Sequence, residues 1–332
     1  MISGSRLSTR IIVLMILAAT FAAYTGAAAE AFQAINMELV GQVEDSVGSV
    51  ALQGNYAYVR TLGDPRLLII DISEPTSPAV VGQKHLFLRT VFDLAVAGNY
   101  VYLAAGDAGL VIVDVSDPTV PREIGSYYPP GSLEAVAIAG NYVYLADRTG
   151  SLSIVDVSSP VLPYRVGSYE FSVPLERIVV ADSHAYVTDG RGDMHIIDVS
   201  NPKAPAEIGF YDSPGYAIDI ELAGNYAYVT DWDGLRIVAV SDPAAPLELG
   251  FFKVKGLSGK AAVIDKFAFI PAWRAGFLMI DVSDPAAPTE VGTYIIPDFA
   301  VRAVSLAGDF AYVIGSHKGL FIFQILLPDL NE

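Results

Sequence analysis

The chain of 332 residues has no cysteine, only four histidines, and 20 basic residues against 37 acidic ones. Without thiols there is no disulfide framework, no thiolate nucleophile and no thiol-linked lipid, so the fold must be held by packing alone. The histidines, His85, His184, His195 and His317, are nowhere three or four residues apart, the spacing of a metal-binding pair. His184 replaces a tyrosine that recurs at the start of a strand and His195 lies inside another strand, so both read as packing positions. No Gly-x-Ser-x-Gly elbow, phosphate-binding loop or dinucleotide fingerprint occurs. The expectation is a chain with no bound metal and no cofactor. The formal net charge of −17 repels phosphate backbones, which argues against nucleic acid as a partner.

Long hydrophobic runs are also scarce. Residues 1–29 carry Arg6 and Arg10, then the apolar run Ile11 to Ala23, then Gly26-Ala27-Ala28-Ala29, the order of a cleaved secretory signal peptide. The run of 13 residues is shorter than the roughly 18–20 that cross a bilayer, and no other segment is long enough. The expected product is exported to the extracellular space, the cell surface or the periplasm, with no membrane span after signal cleavage. Loss of Arg6 and Arg10 leaves 18 basic and 37 acidic residues, a net charge of −19 that serves solubility and suits a monomer.

What the chain has in abundance is a repeat. The stretch Gly109 to Pro121, GLVIVDVSDPTVP, runs β-branched residues into an Asp, a Ser and two prolines. Its Asp recurs at Asp71, Asp114, Asp156, Asp198 and Asp281, with Ala239 and Gln324 at the same place in two degenerate copies, at intervals of 41 to 43 residues. A second mark, Gly-Asn-Tyr or a variant, begins at Gly54, Gly98, Gly140, Asp182, Gly224, Asp265 and Gly308. A period of 40–45 residues made only of strand and turn signals belongs to propeller blades. Within one unit, Ala135 to Ala139, a turn at Gly140-Asn141, Tyr142 to Ala146, Leu152 to Val157 and Tyr164 to Tyr169 read as four antiparallel strands. The Asp after the third strand accepts backbone N–H groups in an Asx-turn and the prolines stop the strand. Such a corner offers one or two carboxylates where calcium wants six to eight oxygens.

The predicted fold is therefore all-β: a single seven-bladed β-propeller of four-stranded antiparallel blades over residues 30–332. The seventh copy, Val304 to Ile325, supplies only three strands. Glu38-Leu39-Val40-Gly41-Gln42-Val43 has the fourth-strand pattern of Glu123-Ile124-Gly125-Ser126-Tyr127, so the N-terminal strand is expected to complete the last blade and remove an exposed sheet edge. The motif Leu110-Val111-Ile112-Val113-Asp114, followed by Val115-Ser116-Asp117-Pro118, resembles the LVIVD-repeat family of exported bacterial and archaeal β-propellers, in register over residues 38–325. The resemblance implies a secreted or surface-exposed propeller and brings no catalytic residues with it.

Two sets of residues are candidates for function. Loops from second to third strand vary between copies, and both tryptophans fall in them: Trp232 in Thr230-Asp231-Trp232-Asp233-Gly234 and Trp273 in Pro271-Ala272-Trp273-Arg274-Ala275. An aromatic beside charged residues on a loop is an interface anchor or a platform for a sugar ring, with Asp231, Asp233 and Arg274 as polar rim. The partner expected at this face is a protein or a glycan. The second set, at the start of the inner strands, is Asp93, Glu134, Glu176, Arg177, Asp219, Lys260 and Arg302. It reads as a ring of charges around a wet channel or as an acid/base pair of a carbohydrate-active hydrolase or lyase. The leading expectation is a non-catalytic binding scaffold, the alternative is that enzyme, and the third is a structural role in an envelope or matrix assembly. Arg191-Gly192-Asp193, an adhesion-like tripeptide, reads as a glycine-containing turn.

Overall fold

The computed structural model describes residues 37–87, 90–254, 259–274, 276–296, 299–315 and 318–326. The predicted signal segment and His317 lie outside the described residues. Among the described residues, twenty-eight strands form seven four-stranded antiparallel sheets. The inner strands are Val47–Gln53, Asp93–Ala97, Leu133–Ala139, Leu175–Ala181, Ala217–Ala223, Ala262–Ile264 and Val301–Ala307. Each packs beside the inner strand of the next blade, and the first packs beside the seventh, which closes the ring. The N-terminal strand Met37–Val43 pairs antiparallel with Gly319–Ile325 and completes the seventh sheet, as the sequence predicts.

The third blade shows why these residues take these places. Its middle strands, Tyr142–Asp147 and Ser151–Asp156, are buried almost throughout, because neighbouring blades cover both faces. That is why the motif strand reads as a continuous apolar run rather than an alternating one. The core lies between blades: Leu110 and Ile112 of the second pack with Leu133, Val143, Leu145 and Val155 of the third. The hairpin between inner and second strand needs a left-handed residue, and all seven copies supply it at φ between 51° and 58°. Asp182 and Asp265 take that conformation without being glycine, which the short Asp side chain tolerates.

The Asp corners are Asx-turns. Asp71, Asp114, Asp156, Asp198 and Asp281 each accept the backbone N–H two residues on, at 2.8–2.9 Å. These bonds, with those from the serine hydroxyls, hold the five carboxyls below the usual carboxylate range. In the fifth blade Ala239 cannot make this bond, and the corner keeps only the second Asx bond, Asp242 accepting the Ala244 N–H at 3.1 Å, which Asp117 and Asp284 also make in their blades. The prolines of these corners also dock the blades on one another. A methyl group built on Gly209, in the outer strand of the fourth blade, would lie 1.9 Å from the carbonyl oxygen of Pro243 in the corner of the fifth. Gly41, Gly82, Gly125, Gly167 and Gly250 meet the carbonyls of Pro75, Pro118, Pro160, Pro202 and Pro285 in the same way. The Gly41–Pro75 contact joins the seventh blade to the first.

Candidate binding site at the channel mouth

The inner strands of five blades carry a β-bulge near their start, and the unpaired residue is Gly48, Glu134, Glu176, Ile218 or Arg302. A bulge breaks the alternation and re-aims its side chain. Glu176, Ile218 and Arg302 line one pocket of about 560 Å³, together with Tyr216, Trp232 and Trp273. Its volume is that of a small-molecule site. Gly259 and Val301 complete it. Two members of each candidate set, Trp232 and Trp273 of the loops and Glu176 and Arg302 of the inner strands, thus meet in a single concavity spanning the fourth to seventh blades.

Tyr216 links the parts. Its hydroxyl donates to Glu176 Oε1 at 2.5 Å and its ring stacks on Trp232, with centroids 5.1 Å apart. Burial and the Glu176 carboxylate push its pKa up to about 12, so it remains a donor. Trp232 is 59% exposed. Across the pocket, the Trp273 carbonyl accepts the Val301 N–H at 3.0 Å, and the Arg302 guanidinium lies 5.5 Å from the Trp273 ring centroid. Trp273 has φ 49°, a conformation that bulky side chains rarely adopt. The equivalent turn of the second blade places Gly106 there at φ 57°, bridged to Leu133 as Trp273 is to Val301. The sixth blade thus holds an indole where the same backbone elsewhere uses glycine.

Below the mouth the charges neutralise one another. Arg177 Nε lies 3.6 Å from Asp219, and burial pushes the Asp219 carboxyl up to about 6 against the pull of Lys260 and Arg177. Burial lowers the pKa of Lys260, which stands in the channel within reach of water, but Asp219, Asp93 and Glu221 outweigh it and the net shift is upward. Glu221, which the sequence did not mark, is raised by burial to about 7. Arg60 is a second unmarked member: it stands on a second strand, and a methyl group on Gly48 would lie 2.6 Å from its guanidinium carbon. The missing side chain at the bulge gives Arg60 its room. Burial, then Arg177 and Arg302, bring Arg60 down to about 10 against the attraction of Asp93. Asp93 accepts the Val136 N–H at 3.2 Å, joining blades two and three, and Glu134 pairs with Arg148 at 2.5 Å. Neither lines the pocket.

The remaining candidates divide. Asp233 and Arg274 are exposed beside the indoles. Asp231 is not a rim residue: it is fully buried, accepts the N–H groups of Asp233 and Gly234 at 2.7 Å, and pairs with Arg236 at 2.5 Å. Asp147 and Asp189 cap the same turn in the third and fourth blades, so this Asp belongs to loop construction. The signal that marks it is the shared Asp closing the second strand in three consecutive copies. His195, a packing position in the sequence reading, lies between Phe171 and Phe210 and bridges Asp189 and Glu207. Asp193 of the adhesion-like tripeptide accepts the N–H of Ser213, 20 residues on, at 3.2 Å.

The family model described as LVIVD repeat matches seven segments, residues 45–84, 89–128, 130–170, 176–213, 214–254, 255–295 and 300–325, and the protein belongs to the LVIVD-repeat family. Among curated proteins none matches the sequence significantly. Among solved structures, the β-propeller domain of Myceliophteria thermophila Cps50 (Swd1) is similar at a TM-score of 0.72 and 13% identity, over 87% of this chain and 99% of that one. The WD40 domain of Neurospora crassa Pan2 is similar at a TM-score of 0.70 and 10% identity, over 87% and 95%. The computationally designed Ika8 protein is similar at 0.65 and 10%, over 86% and 98%. These likenesses are of fold alone.

Proposed function

We propose that the protein is an exported, monomeric binding scaffold that takes a protein or glycan ligand in the mouth pocket. The observation that carries this reading is the convergence of Trp232 and Trp273, from adjacent blades, on one pocket with a carboxylate and a guanidinium. An exposed indole stacked on a tyrosine is a preformed platform, and it costs little conformational entropy to use. The left-handed Trp273 supports the same reading, because strained residues persist where function holds them. Export rests on the order of residues 1–29 and agrees with a fold that needs no thiols. The hydrolase reading gains less support. A glycosidase flanks its substrate with two carboxyl groups, whereas Glu176 is the one carboxylate among the lining residues and is engaged by Tyr216.

The test uses the contrast between blades two and six. The variant Trp273→Gly takes the residue that the second blade already accommodates in this turn, so its fold is expected to be intact. The protein and this variant are screened against a glycan array and an envelope extract, with melting measured alongside. Loss of the captured ligand at an unchanged melting temperature supports the site. Full retention by the folded variant, and by Trp232→Ala, places binding elsewhere.

A further inference from the structure

Within the mouth pocket, and resting on the binding function proposed for it, the polar groups are arranged in a definite order. At one end, Glu176 Oε1 is taken by the Tyr216 hydroxyl, while no hydrogen bond reaches Oε2 among the described residues. At the other end stands Arg302, whose side chain is exposed and, among the described residues, contacts the Trp273 ring. No carboxylate among the described residues pairs with its guanidinium. Among the described residues Arg177 pairs with Asp219 and Arg148 with Glu134, while Arg60 is buried, donates to the Ser49 hydroxyl at 2.9 Å and feels the attraction of Asp93. Arg302 is thus an uncompensated cation in a protein of strong negative charge. Its field adds to those of Arg177 and Arg60, whose own pKa is depressed partly by its two neighbours. Between the two ends, in blade order, stand Trp232, stacked on Tyr216, and Trp273.

We infer that this pocket recognises an acidic sugar: a single uronate unit, at the end of an otherwise neutral oligosaccharide, whose ring lies on Trp232 and whose carboxylate pairs with Arg302. Each part of such a ligand has its counterpart. A planar guanidinium takes a carboxylate through two parallel N–H donors. The C–H face of the ring covers the indole. The ring hydroxyls, which are donors, find the open oxygen of Glu176, an acceptor. An acidic peptide also suits Arg302 and can offer a backbone N–H to Glu176, but an aspartate or glutamate side chain has no C–H ring face to cover the indole. A run of uronates is opposed by the chain's overall negative charge, which leaves the isolated unit as the better fit.

The chain has two tryptophans and both line this pocket, so its indole emission reports the site directly. The probes are short oligosaccharides ending in glucuronate or galacturonate, the methyl esters of the same compounds, and triglutamate, each titrated by emission and by calorimetry. The acids are expected to bind saturably and at least about tenfold more tightly than their esters, the range of one charge-assisted hydrogen bond. Arg302→Gln is expected to bring the acids to the level of the esters and to leave the esters unchanged, with an unaltered melting temperature. Trp232→Ala is expected to weaken both. Equal binding of acid and ester overturns the inference while leaving a glycan site in place. Binding of triglutamate above the sugars overturns it in favour of a protein partner. Silence of every uronate overturns it too, and the Trp273→Gly screen then decides separately whether the pocket binds anything.

Discussion

The two faces of the propeller are built by opposite rules. On the face of the corners, one Asx-turn recurs with the same bond length in five blades, and one glycine-to-proline-carbonyl contact recurs in six. On the face of the mouth, the same structural position holds glycine in the second blade and tryptophan in the sixth, both in the left-handed region. Blades that must dock on one another at equal angles require equal contacts, so the corners are fixed by the ring itself. The turns at the mouth keep a backbone bridge to the next inner strand, Gly106 to Leu133 and Trp273 to Val301, but that bridge leaves the side chain free to vary, and they are where the chain differs from blade to blade.

The largest effect that sharpens this contrast is expected inside the mouth face. Asp231→Ala leaves Arg236 buried with only the more distant Glu248, at 3.3 Å, and strands two backbone N–H groups. Removing one partner of a buried pair costs about 3–5 kcal/mol, read as a shift of the urea midpoint. Asp114→Ala, in an exposed corner, is expected to cost a small fraction of that. Next comes Gly209→Ala, which drives a methyl group into the Pro243 carbonyl of the neighbouring blade. Overpacking against backbone costs about 1–3 kcal/mol, and an unshifted midpoint would remove the docking role given to the corner.

A smaller effect is expected from pH. Burial raises Asp219 from 3.8 to about 6 and Glu221 from 4.5 to about 7. The folded chain then keeps protons that the unfolded chain has released, so the stability contributed by these groups falls as pH rises from about 4 to about 7. The corner aspartates run the other way: their folded values are lowered, so their contribution is present above the ordinary Asp range and is lost as pH falls through it. Asp219→Asn is expected to flatten the decline between about pH 4 and 6, seen in urea midpoints taken across that interval. An unchanged slope would contradict the channel electrostatics. The smallest change belongs to Trp273→Gly, whose midpoint is expected to stay level or rise slightly, because glycine relieves the left-handed backbone.

Most of the fold was legible because its determinants are local and periodic. The Asp and Gly-Asn marks fix strand ends and turns through bonds reaching only a few residues, and the spare strand at Glu38 to Val43 carries the pattern of the strand it replaces. The glycine at Gly167 was half legible: crowding and a bulge both suit it, and both occur, against Pro202 and between Ile154 and Val155. The site was legible in parts but not as a whole. Glu176, Trp232, Trp273 and Arg302 stand out in the sequence, yet their meeting in one pocket depends on the bulges that re-aim Glu176 and Arg302, which the strand pattern does not mark. Asp231 misleads, because a carboxylate beside an exposed indole looks like rim until its Arg236 partner, five residues on, is seen to lie on the same buried side. Arg60 was hidden because its access depends on an absent side chain at Gly48.

The central claim is that binding occurs at the mouth pocket, and the tryptophan content offers a direct measurement. Any ligand found by screening is titrated into the protein with heat and indole emission recorded together. If the pocket is the site, emission changes saturably with the same dissociation constant as the heat, and Tyr216→Ala, which removes the support of Trp232, weakens both in parallel. Heat of binding with silent indoles, unaffected by Tyr216→Ala, would place the ligand on another surface and contradict the account.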